Sequence, residues 1–363
     1  MINTSTEDTQ KEYYCLEIDR ENTMKSFMNF DSIVSELKNP SEFNKASVVV
    51  NEENKKEAEA FLLNHNYYAF SIYKKTLPVR DNQIFDFRDC VEVYEFDSFL
   101  RNSLQKFTGY IENLVKASII NSLCSNYSGE LQKAQCYLDP FIYKNEEIAE
   151  DTIRHFGRRA FISNQALTIK HHIDNRNGHI PLWVILPELT FGETTHFIES
   201  LKDEYREMWI SDLFLKNSYY NGVKGLDQHI KNVAHSWITA SWALRNRCAH
   251  YSRVYGLNFN IGNPRFYTVT LRELKDTNKK KSDNRDLFAF MLAIKNVLIC
   301  HDNSIQLEWN AFIDSIKEKL DNSEIVLPYK MGFPEGYIKY LKIDYEKDIA
   351  TGVFFCEEVM RFR

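Results

Sequence analysis

Asn246 and His250 stand four residues apart in Leu244-Arg245-Asn246-Arg247-Cys248-Ala249-His250-Tyr251-Ser252-Arg253, where an apolar helical pattern runs into one Asn, one His and three Arg. Side chains four apart share a helix face. Arg245 and His250 are five apart and diverge by about 140° at the helical angle per residue, so they do not form one stripe. An imidazole moves protons near neutral pH. A guanidinium is always charged and forked, and it offsets charge building on phosphorus. The Asn246 amide can orient His250 or hold a phosphate oxygen. This set suits RNA, whose 2′-OH is an internal nucleophile, so cleavage to a 2′,3′-cyclic phosphate and a 5′-OH needs no metal or other cofactor. For Arg245 and His250 to meet one phosphate, the helix must end or bend near His250, or a second copy must supply the other group. The second arrangement predicts a symmetric dimer. The same residues also allow a plainer reading: Arg245 and Arg247 in salt bridges, and His250 closing a helix C-terminus, where a partly cationic ring is favourable.

The element carrying these residues is legible. Leu226, Ile230, Val233, Trp237, Ser241, Leu244 and Cys248 recur at three or four residues and predict a helix with this stripe in the core. Cys248 on that stripe reads as core, not as a nucleophile. A second long helix is predicted from Asp97 as N-cap, with Leu100, Leu104, Phe107, Ile111, Leu114, Ile119 and Leu123 buried. Glu112 and Lys116 read there as a surface ion pair. Shorter helices are expected over 31–37, 52–64, 284–300 and 304–320. Pro181 to Leu189 reads as a buried segment with a turn at Gly192, and Thr194 or Thr195 as the cap of the next helix. Tyr219 to Gly225 reads as a linker, Phe266 to Leu271 as a short strand or hairpin arm, and Lys279 to Lys281 as an exposed loop.

With 363 residues, 44% hydrophobic, the chain can build a sizeable core, and 12 Gly and 8 Pro are too few for a many-turned β fold. The expectation is all-α. Net charge is -6, so affinity for nucleic acid must come from local clustering. One cluster exists: Arg154, Arg158, Arg159, Lys170 and Arg176, with His155, His171, His172 and His179, face a single acid, Asp174, between Ile153 and Ile180. It is the best phosphate-contacting surface, and its plainer reading is a solvated face. Seven Cys without a C-x-x-C pair fit a reducing compartment. No apolar run reaches a membrane span, and the N-terminus lacks the apolar core of a signal peptide. A soluble, cytoplasmic protein is expected.

The motif region resembles the hallmark of the Abi family of bacterial abortive-infection proteins, the AbiD/AbiF group, which sits among HEPN ribonucleases marked by R-x(4–6)-H. Tyr94-Glu95-Phe96-Asp97 with Leu100-Arg101, then Ile111-Glu112 and Lys116, resemble the family's central helix, though Arg is more usual at Lys116. Ile180 to Val184, Phe191-Gly192 and Met331-Gly332-Phe333-Pro334 extend the likeness over roughly residues 60–340. The resemblance implies a HEPN-like helical bundle with additional N-terminal helices and a short irregular or β-hairpin insertion near 257–275. A 1–190 region would hold the basic stretch and a 191–363 region the motif. It further implies a homodimer pairing two motifs, a growth-arresting RNase in anti-phage defence, and a structured non-coding RNA that restrains it. Carried over by position, Arg245, Asn246 and His250 are the catalytic set, and Glu112 gives acidic support. Arg247 and Arg253 would position RNA. Tyr251 stands where the family usually has a second His.

Overall fold

The computed structural model describes residues 26–40, 45–217, 220, 227–277, 279–280 and 282–343. In chain order come α1 (Phe30–Lys38), β1 (Ser47–Val49), α2 (Lys55–Asn64), α3 (Tyr67–Ser71), β2 (Ile84–Asp86) and α4 (Phe87–Asn126). After α4 follow α5 (Glu146–Ile162), α6 (Leu167–Asn175), α7 (Leu182–Ile185), α8 (Phe191–Ser200), α9 (Asp203–Ile210) and α10 (Asp227–Ala249). The last four are α11 (Thr268–Glu273), α12 (Leu287–Leu298), α13 (Asn303–Asp321) and α14 (Tyr337–Leu341). The fold is mainly helical, as expected. Among the described residues the only sheet is β1 beside β2, parallel, with Val48 opposite Phe85.

The central helix α4 is 40 residues long, and its cap lies eleven residues before the one expected at Asp97. Asp86 is the true N-cap. Its carboxylate accepts the Arg88 N–H at 2.8 Å, while Asp89 accepts the Asp86 N–H at 3.0 Å. Asn54 Nδ2 donates to the same Asp86 carboxylate at 2.9 Å and ties the start of α4 to the α2 region. From Cys90 to Leu123 the buried positions recur every three or four residues, and Asp97 and Arg101 lie within that stripe. A charged pair inside an apolar stripe looks like a helix boundary in sequence, which is why Asp97 was misplaced.

Against α4 pack α10 and α12, so helices from both the 1–190 and 191–363 regions share one hydrophobic cluster. Every residue of α12 is buried, as a nearly all-apolar helix must be, and the buried Lys295 donates to the Tyr340 carbonyl at 2.7 Å. On α10, Ile230, Val233, Trp237, Ser241, Leu244 and Cys248 are all buried. Leu226, and the 219–225 linker apart from Tyr220, lie outside the described residues.

Two local expectations fail and a third holds only in part. Thr268–Glu273 is helical, not a strand or hairpin arm: the Thr268 N–H and hydroxyl contact His229 Nε2 at 3.1 and 2.9 Å and fix the first turn of α11. Residues 257–267 are irregular. Thr190, not Thr194 or Thr195, caps α8 through a capping box with Glu193, and Gly192 lies inside the helix. There a Cβ would come within 2.7 Å of Trp242 Nε1, so glycine lets α8 approach α10. Of the loop Lys279 to Lys281, Lys280 is exposed as expected and Lys281 lies outside the described residues, but Lys279 is only 10% exposed and paired with Asp286.

Glu193 joins α5 to α8. Its carboxylate accepts from Arg159 and from the Thr190 N–H at 2.6 Å, and meets His155 Nε2 at 2.9 Å. Burial pushes its pKa up, but Arg159 and the Thr190 donors outweigh this and hold it at about 2. A depressed carboxylate stabilises the fold above its unfolded pKa, near 4.3, and loses that contribution as pH falls through the folded value. Glu193→Gln should therefore cost roughly 1–2 kcal/mol at neutral pH, and the difference from the parent should shrink toward pH 2. Urea unfolding at several pH values measures it, and a pH-independent difference would rule out the charged pairing.

Candidate functional site

The chemistry-bearing residues cluster where α10 ends. The Tyr251 N–H donates to the Cys248 carbonyl and the Ser252 N–H to the Arg247 carbonyl, both at 3.0 Å. This is a Schellman closure, with His250 as C-cap and Tyr251 left-handed at φ +52°. Glycine usually fills that position, and a tyrosine there costs on the order of 1–2 kcal/mol. Something must hold it.

That holding group is Asp97. Its Oδ1 accepts the N–H groups of Val254 at 2.9 Å and Tyr255 at 2.6 Å, so the chain after the motif is pinned to α4. Oδ2 accepts the Tyr73 hydroxyl at 2.5 Å and pairs with Arg101, one turn along α4. Arg101 also lies 5.8 Å from the centre of the Tyr251 ring. Burial pushes the Asp97 carboxyl above the ordinary aspartate range, against Arg101 and the Tyr73, Tyr255 and Val254 donors. Sequence reasoning missed this role. The signal was present: an acid and a base four apart on an otherwise apolar stripe, which only mutual neutralisation allows.

Asn246 and His250 line one cleft of about 480 Å³. Trp242, Ala243 and Arg247 complete its α10 wall, and Leu257 to Ile261 form the other side. His250 is exposed and Asn246 half-buried. Arg245 is not among the residues lining this cleft. It points toward α4, where its Nε lies 3.5 Å from Glu112 Oε2. Glu112 Oε1 also accepts from Lys116 Nζ at 2.8 Å, and Lys116 donates to the Leu189 and Pro187 carbonyls at 2.6 and 3.2 Å. Glu112 and Lys116, at 13% and 11% exposure, are thus not a surface pair. They link the motif arginine to the segment leading into α8.

The remaining site residues divide. Arg247 Nε donates to the Arg253 carbonyl at 2.9 Å, and Arg253 donates to the Gly256 carbonyl at 3.3 Å, so both brace the loop. Burial lowers the Arg253 pKa, and Cys248 is pushed up to about 12 by burial, as befits a core thiol. In the basic stretch, Arg159 is bound to Glu193, and Lys170 pairs with Asp174 at 2.9 Å. Arg154 is exposed and 4.0 Å from Asp151. Arg158 and Arg176 are exposed on α5 and just after α6.

A family model described as Abi-like protein matches residues 60–256, from within α2 to the end of the Asp97-pinned loop. The chain belongs to the Abi-like family. Membership points to abortive infection, a phage-defence response. The matched stretch takes in α4, α10, the Glu112–Arg245 contact and the cleft residues Asn246 and His250; it stops before α12. Comparison with curated proteins and with solved structures returned no match. No helix among the described residues of this Abi-like protein is long and apolar enough to cross a membrane.

Removing the Asp97 charge strands a buried guanidinium. Asp97→Asn should lower stability by about 3–5 kcal/mol and speed hydrogen exchange at the Val254 and Tyr255 amides. Adding Arg101→Met should recover part of the loss. An unchanged urea midpoint for Asp97→Asn would show that the buried pair does not hold the loop.

Proposed function

We propose that this Abi-like protein is a metal-independent endoribonuclease of the HEPN type, close to the AbiD/AbiF group. In this reading it acts in the cytoplasm as a growth-arresting toxin during phage infection, held in check by a structured partner RNA. The observation that carries the reading is the placement of Asn246 and His250 together in one open cleft at the pinned end of α10. His250 takes the proton from the 2′-OH as that oxygen attacks phosphorus, and returns a proton to the departing 5′ oxygen. The products are a 2′,3′-cyclic phosphate and a 5′-OH. Asn246 orients the imidazole or holds a non-bridging oxygen.

Arg245 supplies the cationic group. Because it faces Glu112 and not the His250 cleft, one copy holds half of a site. A homodimer with two motifs face to face brings the Arg245 of one copy to the His250 of the other. Glu112 is then a support for Arg245, not a proton donor.

A second reading is a non-cleaving RNA-binding or phage-sensing protein. It draws on the exposed Arg154, Arg158 and Arg176, with Lys170 beside them, and on Arg245 being engaged by Glu112.

His250 is exposed, so His250→Ala should leave the melting temperature unchanged while cutting RNA cleavage by about 10²–10⁴-fold and abolishing growth arrest. An RNA with a 2′-deoxy nucleotide at the scissile position should resist the parent protein. Mixing Arg245→Ala with His250→Ala chains should restore cleavage if the site is composite. Full cleavage by His250→Ala alone would sink the nuclease reading, and parent protein that binds RNA without cutting it would favour the second.

A further inference from the structure

Two turns back along α10 from Asn246 lies a second cleft, of about 600 Å³, between α9, α10 and the loop after the motif. The loop crosses α10 at Gly262, φ +74°, where a Cβ would come within 2.6 Å of Ala243 Cβ. The loop is fastened on the far side of the crossing. The Arg265 N–H donates to Ser236 Oγ at 2.8 Å, and Trp237 Nε1 donates to the Arg265 carbonyl at 2.7 Å. The two clefts therefore flank one crossing point and share α10 as floor.

Three residues lining the second cleft each bury a side-chain atom without a hydrogen-bond partner among the described residues: Arg206 Nε, Asn263 Oδ1 and His235 Nε2, the last with Glu199 Oε1 3.7 Å away. Buried polar atoms are paired in the large majority of cases, so a donor and an acceptor left over at Arg206 and Asn263, beside an imidazole held only at ion-pair distance by Glu199, point to a ligand with a mixed polar edge. Burial lowers the His235 pKa, and a neutral imidazole can either donate or accept. Cations stand at the same place. Lys231 is held by Glu207 at 3.1 Å and Arg206 by Asp203, while Arg265 has no ion-pair partner among the described residues and donates only to the Asn232 carbonyl, at 3.3 Å.

We propose that this cleft binds a nucleotide of a single RNA strand a few positions along from the one at His250: its phosphate against Arg265 and Lys231, its sugar or base edge against His235 and Asn263. The assignment rests on the RNA reading above and deepens it. Seven to ten residues separate Thr239 and Ser236 from Asn246, about 10–15 Å along the helix axis. A stacked strand at about 3.4 Å per nucleotide covers that in roughly three to four nucleotides, passing over Gly262.

The test is fluorescence anisotropy of a labelled single-stranded oligoribonucleotide on the full chain carrying His250→Ala, which separates binding from cleavage. Adding Lys231→Gln and Arg265→Gln should weaken binding about tenfold and reduce the slope of log affinity against log salt by about 1.4, two phosphate contacts at 0.7 each. Lys106→Gln with Lys317→Gln, a charge-matched change on α4 and α13, should leave both unaltered. A nucleoside monophosphate should compete better than inorganic phosphate at equal ionic strength. Equal loss in the control pair, equal competition by phosphate, or an oligoribonucleotide that does not bind would each overturn the assignment. If binding depends on Lys231 and Arg265 but the parent protein cuts nothing, the cleft assignment stands and the nuclease reading falls.

Discussion

A carboxylate buried in the middle of a long helix must be answered from several directions at once, and Asp97 is answered from three. Arg101 comes from its own helix, Tyr73 from the segment before β2, and the Val254 and Tyr255 amides from the chain after the motif. A buried pair of this kind need not add net stability compared with an apolar substitute, yet it is costly to break. Its effect is therefore specificity. The path of residues 251–255 that presents two amides to Oδ1 goes with α10 stopping at Ala249 and with Tyr251 left-handed. His250 becomes a C-cap exposed at a cleft, not one more side chain on a continuing helix.

The opposite side of α10 is governed by the same helix α4. Glu112, four turns along from Asp97, holds Arg245 on one oxygen and Lys116 on the other, and Lys116 reaches the carbonyls that lead into α8. α4 thus sets both halves of the motif: the loop beyond His250 through Asp97, and Arg245 through Glu112. The family match, beginning in α2 and ending at Gly256, encloses this whole set of contacts.

Regular amphipathic patterns were legible in the sequence. The α10 stripe, the apolar run that becomes α12 and the helix over Asn303–Asp321 follow from spacing alone, because burial there is mostly apolar. Misreadings fell where a polar side chain is satisfied by a distant partner. Asp97 looks like a cap because caps are the commonest use of an aspartate beside an apolar pattern. Phe266 to Leu271 looks like a strand because β-branched and aromatic residues favour one, but His229 accepts the first amide of a helix instead. The site was legible in part: the shared face of Asn246 and His250 follows from a spacing of four. Schellman closure at a tyrosine does not, since nothing in the local sequence announces a left-handed residue without glycine.

The division of the motif across α10 bears on how firmly Arg245 is held. Its contact with Glu112 is a single 3.5 Å approach, with the guanidinium 36% exposed. Pairs of that kind contribute about 0–1 kcal/mol, because solvent screens the attraction and ordering a long side chain costs entropy. Lys116 already offsets the charge on Glu112 from the buried side. In the proposed ribonuclease, a phosphate arriving beside Arg245 offers a bidentate partner that the carboxylate, shared with Lys116, does not. Glu112 is then a holder that keeps the arginine oriented while no phosphate is present and yields it at small cost. The His250 backbone needs no such holder, because backbone hydrogen bonds and the Asp97 clamp fix it, while its imidazole stays exposed. In the proposed site the backbone carrying His250 is set by the fold while Arg245 is set loosely by an exchangeable ion pair, and this difference follows from which side of α10 each residue occupies.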